Sequence, residues 1–144
     1  MKGAALKPRK KPEPAGPRDG GRTAGELVKV VQDGVPFEEL ESLRDKLGLP
    51  LDQLGEKLGI PRATLHRRKA AGRLATDESD RVIRFARLLR QAEEVFGTVD
   101  RARQWLSFPQ YGLGGVVPLD YARTEVGARE VETLLGRIEY GVYS

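Results

Sequence analysis

Cysteine is absent from all 144 residues. That excludes disulfides and thiolate metal sites, and it suits a reducing, cytoplasmic setting. There is one histidine, His66, set among basic residues with no acid beside it. A Ser-His-Asp arrangement would have to use this residue, and a zinc site would have to be built mostly from carboxylates. Neither is expected, so the chain is read as a non-enzyme with no metal and no cofactor. No apolar run approaches the roughly 20 residues of a membrane helix. The basic N-terminus lacks the apolar stretch of a secretion signal. The glycines at 112, 114 and 115 superficially suggest a phosphate loop, but no strand precedes them and the Lys and Ser/Thr of a P-loop are missing, so they read as a turn.

What the chain has is charge, at 32% of residues, with 39% hydrophobic residues to support a modest core. The net charge of +4 is unevenly spread. Residues 1–22 and 62–90 are net positive, by +5 and +6, whereas 23–61 and 91–144 are net negative, by −4 and −3. Opposite-signed blocks suggest two surfaces for two kinds of partner. The basic blocks suit phosphate and the acidic C-terminal block suits a protein.

The length allows one ordinary domain or two small ones. Residues 1–22, rich in Pro, Gly and Lys, are expected to form a disordered tail, either a basic arm for DNA or a solubilising extension. A domain over 23–97 and a second over 98–144 are expected. The segment after Thr23 is short and β-branched, so helix and strand remain open for it. Phe37, Leu40, Leu43 and Leu47 then recur at helical spacing behind Pro36, read as a first helical position. Thr76 is read as the N-cap of a long helix that reaches Gly97, with an apolar arc wide enough to make it central. Thr98 caps the helix that ends at Trp105-Leu106, and Trp105 is expected in the core. Pro118 opens a short helix. Thr124 caps a last one, in which Val131, Leu134, Leu135 and Ile138 share a face. The fold class is all-α.

Leu51 to Lys69 reads as a helix-turn-helix. Gly55 suits a close helix crossing and Gly59 a tight turn. Leu54, Leu58, Ile60 and Leu65 are expected to fill the wedge between the helices. The second helix would enter the major groove, with Arg62, Thr64, His66, Arg67, Arg68 and Lys69 toward DNA. Arg73, Arg81, Arg84 and Arg87 would lie nearer phosphates. Arg68 breaks the pattern, because an aliphatic residue usually packs inward there. A solvated basic face, or a helix pair used only for dimerisation, is the competing account.

From Ala102 the chain carries A-x-x-W-L, then P-x-x-x-L-G-G-x-x-P from Pro109 to Pro118. The run T-x-x-G-x-x-x-V-x-x-L-L-x-x-I-x-x-G-V follows, from Thr124 to Val142. These motifs, with the basic helix-turn-helix before them, resemble the Xre/MbcA/ParS-type antitoxins over about residues 36–144. The resemblance implies an N-terminal Xre-like bundle joined by the long helix to a small helical toxin-binding module. It also implies a RES-domain toxin that consumes NAD or ADP-ribosylates a target, with its cleft plugged by the antitoxin's C-terminal end. Operator DNA, autorepression and a homodimer inside a toxin–antitoxin hetero-oligomer complete the expectation. The plug would comprise Glu139, Tyr140, Gly141, Val142, Tyr143 and Ser144. The tyrosines are of hot-spot type, and Glu139 and the terminal carboxylate are suited to toxin arginines in place of the NAD pyrophosphate. A frayed end is the plain alternative for the last four residues. For the whole chain the alternatives are a free-standing helix-turn-helix transcriptional regulator with a C-terminal dimerisation module, or an antitoxin without useful DNA binding.

Overall fold

Glycine and proline cut the chain into eight helices and no strand among the described residues, 23–141, of a computed structural model. The basic segment 1–22 and Val142, Tyr143 and Ser144, on which several expectations fall, lie outside the described residues. The helices are α1 (Ala24–Asp33), α2 (Phe37–Leu47), α3 (Leu51–Lys57), α4 (Arg62–Ala71), α5 (Thr76–Phe96), α6 (Val99–Ser107), α7 (Pro118–Tyr121) and α8 (Glu125–Glu139). A single 3-10 turn, Tyr111–Leu113, interrupts the connection from α6 to α7.

The ambiguous segment after Thr23 is helical. The Thr23 hydroxyl accepts the Glu26 N–H at 3.1 Å, and the Glu26 carboxylate accepts the Thr23 N–H at 2.9 Å. This reciprocal cap satisfies two orphan donors and outweighs the weak helix propensity of Val28, Val30 and Val31. Pro36 stands one residue ahead of its helix, in extended backbone, rather than at the first helical position, and Pro61 stands likewise ahead of α4. Thr76 is not the cap of α5. Ala75 takes that place, and the Glu78 carboxylate accepts its N–H at 2.8 Å. The Thr76 hydroxyl instead donates to the Gln32 carbonyl at 3.0 Å, tying the start of α5 to the end of α1.

The central helix is α5. It buries Val82, Phe85, Leu88, Leu89 and Ala92 and packs against α1, α2, α6 and α8. Burying a side chain the size of Phe or Leu stabilises by about 1.5–3 kcal/mol, so this one face carries much of the fold. A short antiparallel contact closes the N-terminal bundle. Phe37 N–H donates to Gly72 O and Leu74 N–H to Val35 O, both at 3.0 Å. Behind it, the buried Val35 N–H donates to the Ser79 hydroxyl at 2.8 Å. An unsatisfied buried amide costs about 1–3 kcal/mol, so Ser79 is a structural residue.

The two halves are joined by more than α5. Lys57 of α3 pairs with Asp120 of α7 at 2.8 Å. The Arg84 side chain, only 10% exposed, pairs with Asp80 at 2.9 Å and Glu125 at 3.4 Å, and donates to the Arg123 carbonyl at 3.1 Å. Gln91 donates to the Glu132 carbonyl at 3.1 Å, and Arg87 approaches the Glu132 carboxylate at 3.7 Å. One hydrophobic core runs through both halves. The expected division after Gly97 therefore falls at the end of a helix whose apolar face serves both.

Candidate DNA-facing and toxin-facing surfaces

In α3 and α4 the local sequence dictates the geometry. A Cβ on Gly55 would stand 3.1 Å from a Leu65 methyl, so only a very small residue lets the helices cross here. Gly59 makes the turn at φ +74°, a conformation open to glycine at little cost. Leu54, Leu58, Ile60 and Leu65 are all buried between the helices. Helix α4 buries Leu65 alone, and the rest of its circumference is left for other uses.

Of the six residues expected toward DNA, four are exposed on α4: Arg62, His66, Arg67 and Lys69. Thr64 is half-buried, and its hydroxyl accepts from Arg67 at 3.4 Å. Arg62 pairs with Asp52 at 2.9 Å. Both partners are exposed, and such pairs contribute only about 0–1 kcal/mol, so the guanidinium is easily released to a phosphate.

Arg68 departs from the DNA-facing expectation. It turns inward to the position where an aliphatic residue ordinarily packs. Its guanidinium meets Glu78 in a fork, at 2.8 and 3.2 Å. Glu78 is 7% exposed, and a buried carboxylate needs such a partner. The hydrogen bond and charge of Glu78 raise the Arg68 pKa further. A raised pKa keeps Arg68 cationic through the whole neutral range. Arg73 is also engaged, donating to the Gly34 carbonyl beside the antiparallel contact. Three arginines read as lying near phosphates serve the fold as well. Arg81 donates to the Leu58 carbonyl at 2.7 Å and pairs with Asp77, while Arg84 and Arg87 form the seam to α8. Sequence reasoning missed the ties of Arg73, Arg84 and Arg87 because nothing local marks partners some 40 residues away.

The C-terminal half is built on α6, α7 and α8. Thr98 caps α6 by accepting the Arg101 N–H at 3.1 Å, and Thr124 caps α8 by accepting the Gly127 N–H at 3.0 Å. Trp105 is a core residue on one side only. It is half-buried and stacks at a tilt on Phe96, with ring centroids 5.6 Å apart. Of the expected toxin-facing residues, Glu139, Tyr140 and Gly141 are exposed just where α8 ends, Tyr140 by 81%. Val142, Tyr143 and Ser144 fall outside the described residues. Among the described residues, no three His, Asp or Glu side chains converge to hold a metal ion, and no helix is long and apolar enough to cross a membrane.

Comparison with known proteins finds two family domains along the chain. The antitoxin Xre-like helix-turn-helix domain matches residues 26–87, and the antitoxin Xre/MbcA/ParS C-terminal toxin-binding domain matches residues 91–141. Antitoxin Xre of Yersinia enterocolitica is 36% identical over 120 residues, covering 82% of this chain and 81% of that one. Antitoxin Xre of Pseudomonas putida is 39% identical over 123 residues, covering 84% and 67%. The Prs ADP-ribosylating antitoxin of a Sphingobium species is 27% identical over 127 residues, covering 81% and 80%. A helix-turn-helix with a basic outer helix, welded to a helical module matched by the toxin-binding domain, makes this chain a member of the Xre/MbcA/ParS-type antitoxins, components of toxin–antitoxin systems.

Proposed function

We propose that this chain neutralises a RES-domain toxin that consumes NAD or transfers its ADP-ribose, and that it represses its own operon. The observation that carries this reading is one shared hydrophobic core with two unlike surfaces. At one, α4 exposes Arg62, His66, Arg67 and Lys69. At the other, α8 ends in exposed Glu139 and Tyr140. The Sphingobium relative, named for ADP-ribosylation, supports a partner that handles NAD. In this account the segment 139–144 enters the toxin cleft, where a tyrosine and a carboxylate answer arginines that otherwise hold pyrophosphate. The chain itself performs no catalysis, acts in the cytosol and docks as a homodimer on a two-fold operator.

Co-purification with the product of the neighbouring reading frame tests the toxin half. A stable complex is expected, and its absence would leave a free-standing regulator as the better account. For the DNA half, Arg67→Ala is expected to weaken binding to the chain's own promoter by about 10-fold, the range of one lost arginine contact. The wild-type shift should fall steeply with salt, because phosphate contacts release counterions. An affinity unchanged by Arg67→Ala, or insensitive to salt, would count against this use of α4.

A further inference from the structure

A groove of about 360 Å³ opens between the connection that follows α6 and the outer face of α8. Its walls are Phe96, Trp105, Tyr111, Leu134 and Ile138, with Gln110 and Gly112 at the floor and rim. Tyr111 is 92% exposed, and nearby in the chain Phe108 is 61% exposed. Large aromatics left in water at this level are costly for a free-standing surface and typical of a docking site.

The groove is held open. The Gln110 side-chain amide donates to the Trp105 carbonyl at 2.9 Å and to the Phe108 carbonyl at 3.1 Å. The Gln110 N–H donates to Val116 O at 3.2 Å, and Gly115 N–H donates back to Gln110 O at 2.9 Å. Leu113, buried beneath, anchors the turn that presents Tyr111. Gly112 lies so close to α8 that a Cβ would stand 2.9 Å from the Leu134 methyls. A site ordered before binding loses little entropy on binding.

Resting on the toxin-binding reading above, we infer that this groove is a second toxin-docking site, which takes an apolar side chain presented by the toxin. Two observations select that occupant. Every wall residue lies within the span matched by the toxin-binding domain, 91–141. The groove also borders the end of α8, where exposed Glu139 and Tyr140 lead into the segment assigned to the toxin's cleft. Leu134 and Ile138 are also one helical turn apart, and Gly141 lies less than one turn beyond Ile138. A toxin seated in the groove is thus positioned beside the segment assigned to its cleft. The groove supplies affinity and register, and the terminal segment supplies inhibition.

The test measures the affinity of the full chain for its neighbouring RES-domain toxin. Tyr111→Arg is expected to weaken binding by about 30-fold or more, the loss typical of a hot-spot aromatic, whereas Tyr111→Phe should stay within about 3-fold. Tyr111 supports no part of the core, so the folded state should be retained and promoter binding unchanged. The sole tryptophan gives a second measurement. With 5-fluorotryptophan at Trp105, the single fluorine resonance should move when the toxin binds. Unchanged toxin affinity in Tyr111→Arg, a fluorine resonance unmoved in a formed complex, or altered self-association in place of toxin affinity would each overturn the docking site. Failure of the wild-type chain to bind the toxin at all would instead overturn the functional reading beneath it.

Discussion

Removing Gly141–Ser144 is expected to abolish neutralisation while leaving the folded body intact. Helix α8 ends at Glu139, and among the described residues the truncation removes one backbone hydrogen bond, from Gly141 N–H to Ile138 O at 3.1 Å. The core residues of α8, Ala128, Val131 and Leu135, are untouched. Thermal stability and the promoter shift should therefore be close to those of the full chain. Growth of cells carrying the toxin should collapse, because losing a hot-spot residue costs about 2 kcal/mol or more and the cleft is reopened as well. Full rescue by the truncated chain would show that the segment is a passive end and that inhibition arises elsewhere on the C-terminal module.

Gly127→Ala is expected to be the most damaging single methyl in the molecule. A Cβ at Gly127 would stand 1.7 Å from the Tyr121 carbonyl oxygen, far inside van der Waals contact. Helix α8 cannot retreat, because Ala128, Val131 and Leu135 on the same helix are fully buried. Nor can the carbonyl swing freely, since the same peptide carries the Ala122 N–H, which donates to the Pro118 carbonyl at 2.9 Å. Overpacking of this kind costs about 3 kcal/mol or more, which for a chain of this size lowers Tm by roughly 10 °C. Gly136→Ala is the control. Outside its own helix backbone and chain neighbours, no atom lies within 4 Å of a Cβ there, so alanine should stabilise the helix by about 0.5–1 kcal/mol. Melting curves followed by circular dichroism decide the matter, and a Gly127→Ala Tm within about 2 °C of wild type would contradict the close approach.

Much of this architecture is legible in the sequence because its signals are local. Thr98 and Thr124 act as caps where their position before an apolar period suggests it, and Gly55 and Gly59 shape the helix crossing and turn. Where the reading slipped, a partner outside the local pattern decided. Thr76 looks like a cap, yet its hydroxyl is drawn to Gln32, 44 residues away, and Glu78 caps Ala75 from inside the helix. Arg68 sits in a basic run and reads as a DNA contact, but the buried Glu78 claims it. Arg84 and Arg87 belong to the same basic block by composition, and only folding brings Glu125 and Glu132 against them. Charge counting along a chain cannot separate cations left for phosphate from cations spent on helix packing.

The aromatic groove escaped notice for a related reason. Trp105, Tyr111 and Ile138 are spread over more than thirty positions, and a tryptophan beside Leu106 and Phe108 reads as core. Its exposed side appears only once the Gln110 hydrogen bonds have set the path of the connection.

NAD turnover by the purified partner toxin, followed as this chain is titrated in, tests the central claim most directly. The account predicts that turnover falls in proportion to added chain and reaches zero when every toxin active site is matched by one C-terminal segment. A stable complex that continues to turn over NAD at the rate of the free toxin would contradict it.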